Sequence, residues 1–259
     1  MATNTFAQQA YHENAAPLHQ QIFAQTKVEL LLTLRRGESV LITLVVPVLL
    51  LIFFASLNII PTTTSKAVDF LLPGILALAV IAAGMVSLGI ATAYERYYGV
   101  LKRLGCSPLS RSSLIIAKVI SVLALEIIQV IVLIGVAVIL YNWHPSGSPI
   151  LTLLALAIGT VTFSALGLAM AGALRAEATL AGANALFLLF LLLGGGILPL
   201  SHLPPTLAAI AEILPAAALT QALQATMSGH ISYLWSPLII LVVWTVAILL
   251  VAIKTFNWE

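Results

Sequence analysis

Leu114 to Tyr141 reads LIIAKVISVLALEIIQVIVLIGVAVILY, an apolar run in which Lys118 and Glu126 are the only charges. About 20 apolar residues of helix cross the hydrocarbon layer of a bilayer, so this run is long enough to span as one helix. A strand is excluded, because membrane strands alternate apolar and polar residues and this run does not. Five further runs share its character: Val40–Ile60, Phe70–Ala93, Ile150–Leu174, Leu180–Leu200 and Pro237–Ile253. Hydrophobic residues make up 61% of the 259 and charged residues 8%, with a mean hydropathy of +1.12. Soluble domains carry about a quarter charged residues, so that class is ruled out. The expected fold is an all-α integral membrane protein of six transmembrane helices, a single domain over 1–259 with its bundle at 40–253.

Lysine and arginine positions set the topology. With both termini cytoplasmic, Lys27, Arg35, Arg36, Arg96, Lys102, Arg103, Arg111, Lys118, Arg175 and Lys254 fall on the inner side or at its edge, and only Lys66 lies outside. This predicts a multi-pass protein of the cytoplasmic (inner) membrane. Residues 1–36 read as a cytoplasmic tail without the basic start and apolar core of a cleaved signal. The tail ends in an interfacial helix over Leu18–Leu34, with Ile22, Phe23, Lys27, Arg35 and Arg36 at the membrane surface and Gly37 as its stop. Pro47, inside the first span, predicts a kink or a packed site where a neighbour satisfies the freed carbonyl. Pro204, Pro205 and Pro215 break the segment 201–233 into two short helices, expected to dip into the outer leaflet under cover of the bundle. Gly194-Gly195-Gly196 predicts a bend, or a close contact with a neighbouring subunit, at the outer end of the fifth span.

Little in the chain carries chemistry of its own. Cys106 is the sole cysteine, so no internal disulfide forms. No Gly-x-x-x-x-Gly-Lys-Ser/Thr loop is present, so nucleotide is not held by that route. The histidines lack zinc-motif spacing with Glu or Cys. Asp69 is the only aspartate and no span holds a histidine, which excludes an intramembrane protease. No metal, cofactor or nucleic acid is expected on this chain. Glu126 and Gln129 share one face of the third span. A carboxylate at that depth is costly, so it is either a functional group or a hydrogen-bonded tie between helices. Gln129 and, in the fifth span, Asn184 carry the same two readings, and the three form a candidate substrate pathway. An ion-coupled secondary transporter working through Glu126 is the alternative, but it calls for several intramembrane charges and two related halves.

Between the second and third spans lies a charged island, Glu95-Arg96-Tyr97-Tyr98-Gly99-Val100-Leu101-Lys102-Arg103-Leu104-Gly105-Cys106-Ser107-Pro108. It reads as a short amphipathic helix stopped by Gly105 and Pro108. Orientation alone needs only Lys and Arg, and the aromatic pair points instead to a docked partner.

Glu95, Arg96, Gly99, Leu101, Leu104, Ser107 and Pro108 are similar to the Glu-Arg…Gly…Leu…Leu…Ser/Thr-Pro stretch of the six-span permease subunits of type 2 ATP-binding-cassette exporters, the group that includes daunorubicin-resistance-type drug exporters. Arg35–Glu38 before a proline-bearing first span, and Leu203-Pro204 with Ile213-Leu214-Pro215 before the last, add to the resemblance, which covers nearly the whole chain. It implies that Glu95 to Pro108, including Tyr97, Lys102, Arg103 and Gly105, forms a coupling helix on a separately encoded ATPase. It further implies two ATPase copies holding ATP and Mg, and a second permease, identical or homologous, in the lipid bilayer. The cargo implied is a hydrophobic or amphipathic compound, drug-like or lipid.

Overall fold

A computed structural model describes residues 17–35, 37–57, 67–106 and 109–255, the side chains of 37–42 excepted. Arg36, Lys66, Ser107 and Pro108 lie outside the described residues. Among the described residues ten α-helices follow one another: α1 Leu18–Arg35, α2 Gly37–Leu57, α3 Ala67–Tyr97, α4 Val100–Gly105, α5 Arg111–Tyr141, α6 Pro149–Ala173, α7 Ala176–Leu193, α8 Pro205–Ile213, α9 Pro215–Ser228 and α10 Trp235–Thr255. No strand occurs among the described residues. The chain is an all-α integral membrane protein.

Helices α3, α5, α6, α7 and α10 are long and apolar enough to cross a bilayer. Helix α2 has 21 residues, about 31 Å at 1.5 Å per residue, which matches the hydrocarbon thickness. Pro47 sits inside it and is buried. A proline lacks the N–H that would bond the carbonyl four residues back, here Thr43 O. Gln129 Nε2 of α5 donates to that oxygen at 2.7 Å, the packed site expected from the sequence.

Helix α3 is the axis of the bundle, buried almost continuously from Val68 to Ile81. Its middle, Ala82–Ser87, is π-helical, and there it crosses α6 at glycine distance. A Cβ on Gly84 would stand 2.9 Å from Ser164 N, and one on Gly167 would stand 2.7 Å from Met85 O. Small residues let two helices approach this closely.

Three boundaries differ from expectation. The first is at α3, which does not end before Glu95 but runs on through Tyr97. Gly99, at φ +71°, then turns the chain into the separate six-residue α4, so the charged island is one helix end plus one short helix. At the second, α7 stops at Leu193, not Leu200. Gly194 N–H bonds Phe190 O at 2.7 Å, Gly195 takes φ +68°, and a Cβ on Gly74 of α3 would lie 2.0 Å from Gly196 O. The glycine triplet is therefore a tight turn packed on this chain's own α3. The third concerns Gly37, which begins α2 and is not a stop.

Helices α8 and α9 each start on a proline at the first helical position, where the missing N–H is no loss, and they meet at 81°. Only α9 is covered: it is buried from Pro215 to Met227, apart from Gln221 and Gln224, and packs on α3, α6 and α10. Helix α8 leaves Leu207, Ile210 and Ile213 exposed. A helix satisfies its own backbone, so lipid can be its cover. Trp244 Nε1 of α10 donates to Ile213 O at the junction, 2.8 Å.

Candidate functional site

The last turn of α3 brings Glu95 to Lys118, in the second turn of α5. Glu95 Oε2 accepts from Lys118 Nζ at 2.7 Å, and Glu29 of α1 approaches the same ammonium at 3.0 Å. The Lys118 side chain is 1% exposed, those of Glu29 and Glu95 12% and 16%. An ammonium buried this completely is stable only against opposite charge, because its water has been removed. The triad fastens α1, α3 and α5 together. Gln25 Nε2 adds a hydrogen bond to Glu29 Oε1 at 2.9 Å, and Thr26 Oγ1 reaches Ala117 O at 3.5 Å. Helix α1 thus lies along the first turns of α5.

Arg96 goes the other way. Successive helical residues point about 100° apart, and its guanidinium donates to Gly172 O and Leu174 O, at the end of α6. Those carbonyls belong to the last turn, where intrahelical donors run out and the helix dipole favours a cation. Two adjacent residues therefore tie one helix end to three other elements.

Beyond Gly99, Leu101 is buried with Leu88, Leu114 and Leu168, and Leu104 packs on the same cluster. This pins α4 under the bundle. Tyr97 and Tyr98 stay 65% and 66% exposed, with rings 5.1 Å apart and edge-on. Val100, Lys102, Arg103, Gly105 and Cys106 are also exposed. The island therefore sorts into Glu95, Arg96, Leu101 and Leu104, which hold it, and a free aromatic and basic surface.

Inside the bundle, Glu126 is buried and accepts from Thr160 Oγ1 of α6. Its Oε1 has no partner among the described residues. Gln129 is spent on Thr43 O, as above. Asn184 is exposed on α7 and bonds its own helix at Leu180 O, 2.9 Å, so it does not join the other two. On α1, Phe23, Lys27 and Arg35 are exposed and Ile22 is half-buried. Among the described residues no three His, Cys, Asp or Glu side chains group as metal ligands.

Glu29 and Lys118 are the members of this site that the sequence did not single out. Lys118 lies on the buried stripe of α5 with Val122, Glu126, Gln129 and Leu133. That register was the available signal. Glu29 left none, since it stands 89 residues from its partner.

The family model described as ABC-2 type transporter matches residues 20–228. No curated protein matches the chain.

Proposed function

The chain belongs to the ABC-2 type transporter family, as the permease component of an ABC exporter, and from that premise we propose how it is driven and what it moves. The family's domain is a transmembrane component and not an ATPase. In our reading, a separately encoded ATPase, in two copies that hold ATP and Mg, seats on the exposed surface of Tyr97, Tyr98, Lys102 and Arg103. A second permease, identical or homologous, completes the complex in the cytoplasmic membrane, with both termini on the ATPase side. The cargo is a hydrophobic or amphipathic compound.

What supports this is the fork at Glu95 and Arg96. A short helix that merely oriented the protein needs no fastening, whereas one that receives a push needs stiff links to the spans. Glu95, through Lys118, links α4's base to α5 and α1, and Arg96 links it to α6. A tilt of α4 is then felt by three elements at once. Glu126, bonded across to α6, acts in this scheme as a tie within the moving bundle.

Two sets of variants separate docking from transmission. Coexpressed with the neighbouring ATPase, Tyr97→Ala with Arg103→Glu loses the copurified ATPase. Glu29→Gln with Lys118→Met and Glu95→Gln keeps the ATPase bound but uncouples its hydrolysis from transport. Undiminished ATPase capture by the first set refutes the docking surface.

A further inference from the structure

A cavity of about 130 Å³ lies between α1, α2, α3 and α5. Its lining on α5 runs from Lys118 to Ile128, about 15 Å at 1.5 Å per residue, so it is elongated along the helix. One end is closed by Glu29, Glu95 and Lys118. Toward the other the wall is largely apolar, with Leu44, Leu88, Val122 and Leu125. A cavity of ~150 Å³ lined by apolar side chains takes up benzene, so this one has room for a segment of about six carbons.

The charged end selects by sign. Two carboxylates face one ammonium, a formal charge of minus one. Glu29 engages Lys118 with both oxygens, at 3.0 Å and 3.1 Å, and Glu95 meets it through Oε2 at 2.7 Å. Lys118, at 1% exposure behind both carboxylates, offers nothing to an anion. Arg96, adjacent to Glu95 in sequence, is committed to α6.

Ser87, Ala91 and Glu95 line this cavity and also an adjoining surface groove formed with Ile90, Tyr94 and Tyr98. The rings of Tyr94 and Tyr98 stack there with centroids 6.1 Å apart. A carboxylate beside aromatic rings, in a cluster with one negative charge in excess and next to a narrow apolar slot, is a constellation for an organic cation with a tail.

We propose that this cavity binds an amphiphilic cation, its ammonium head at Glu95 beside Tyr94 and Tyr98 and its aliphatic chain between α3 and α5. The proposal goes beyond transport, because it assigns a binding site and head-group chemistry whether or not the ligand is exported. The head could come from an aminophospholipid or from a free cationic amphiphile.

The test uses the full chain in lipid nanodiscs without nucleotide, labelled with a photoreactive hexyltrimethylammonium and mapped by peptide mass spectrometry. We expect saturable labelling of α3 and α5 around Ser87, Ala91, Val122 and Leu125. Octyltrimethylammonium should compete at least tenfold better than octyl sulfate. Ser87→Phe, which fills the slot from an exposed position, and Glu95→Gln should each lower labelling at least fivefold. Thermal unfolding identifies any variant that fails to fold, in which case Leu125→Phe replaces it. Suppressed labelling in phosphatidylethanolamine-rich discs relative to phosphatidylglycerol discs identifies the lipid as the source, and equal labelling identifies a free cation. Labelling spread over the lipid-facing helices, equal competition by octyl sulfate, or indifference to both substitutions overturns the proposal. The permease assignment stands in any of these cases, since no transport is read.

Discussion

Replacing Lys118 by Met removes the ammonium but keeps most of its volume, leaving Glu29 and Glu95 facing each other at the junction of α1, α3 and α5. Removing one partner of a buried ion pair costs about 3–5 kcal/mol, because the survivors stay out of water without compensation. Both carboxylates keep slight exposure, 12% and 16%, so the lower end applies, about 3 kcal/mol. At roughly 2–4 °C per kcal/mol for a chain of this size, the unfolding temperature of the purified protein should fall by about 6–12 °C. The triple variant Lys118→Met, Glu29→Gln, Glu95→Gln separates loss of a tie from exposure of charge. With no charge left to strand it should recover to within about 1 kcal/mol of the parent, since replacing a whole buried network is often neutral. Differential scanning fluorimetry reads all three proteins under one condition. A single variant that loses less than about 1 kcal/mol, or a triple variant no better than the single, would refute the argument that this triad is a desolvated ionic clamp.

Arg96→Ala should cost about 2–3 kcal/mol through two lost charged hydrogen bonds, and Arg96→Lys should restore only part, because one ammonium cannot bridge the Gly172 and Leu174 carbonyls as a planar fork does; thermal unfolding checks both. Gly74→Ala, whose Cβ would sit 2.0 Å from Gly196 O, should lose at least about 1–3 kcal/mol by overpacking. Gly135→Ala meets nothing within 4 Å and should be neutral or stabilising by up to about 1 kcal/mol. Gln129→Leu should cost about 1 kcal/mol, and less in a Pro47→Ala background, where the restored N–H at position 47 reaches Thr43 O; a double-mutant cycle measures that coupling. Glu126→Gln keeps an acceptor for Thr160 and should leave ATP-driven efflux within about twofold of the parent, equivalent to under about 0.5 kcal/mol; proton-gradient-driven efflux in proteoliposomes, lost in this variant, would favour the ion-coupled alternative.

The spans were legible because lipid imposes one rule on every residue it touches: a run such as Leu114–Tyr141 can be apolar along its length only if the solvent is apolar too. The breaks were legible where proline or glycine makes them, as at Pro205 and Pro215. Their consequences were less so. The glycine triplet announces a bend, but that Gly196 meets Gly74 depends on two segments more than a hundred residues apart. The π-helical stretch of α3 left no mark at all, since Ala82–Ser87 is ordinary helical sequence and only its crossing with α6 accounts for its packing.

The charged island shows why the site was harder to read than the fold. Read as a string, Glu95-Arg96 is a neighbouring pair and invites a single shared role at a surface. On a helix the same two residues diverge by about 100°, and each must find a partner on its own side. The side facing α5 holds Lys118, whose position on the stripe of Val122, Glu126 and Gln129 places it indoors and in need of a carboxylate. The side facing α6 holds a helix end short of donors. Adjacency in sequence thus becomes opposition in space, and that opposition lets one short segment hold both flanks of the bundle. A conservative exchange that swapped Glu95 and Arg96 would keep the composition and net charge of the island while placing a guanidinium against Lys118 and a carboxylate against carbonyl oxygens, two repulsions where there were two attractions. The surface of Tyr97, Tyr98, Lys102 and Arg103 would be unaltered by that exchange, so partner capture should persist while the links to α1, α5 and α6 fail together.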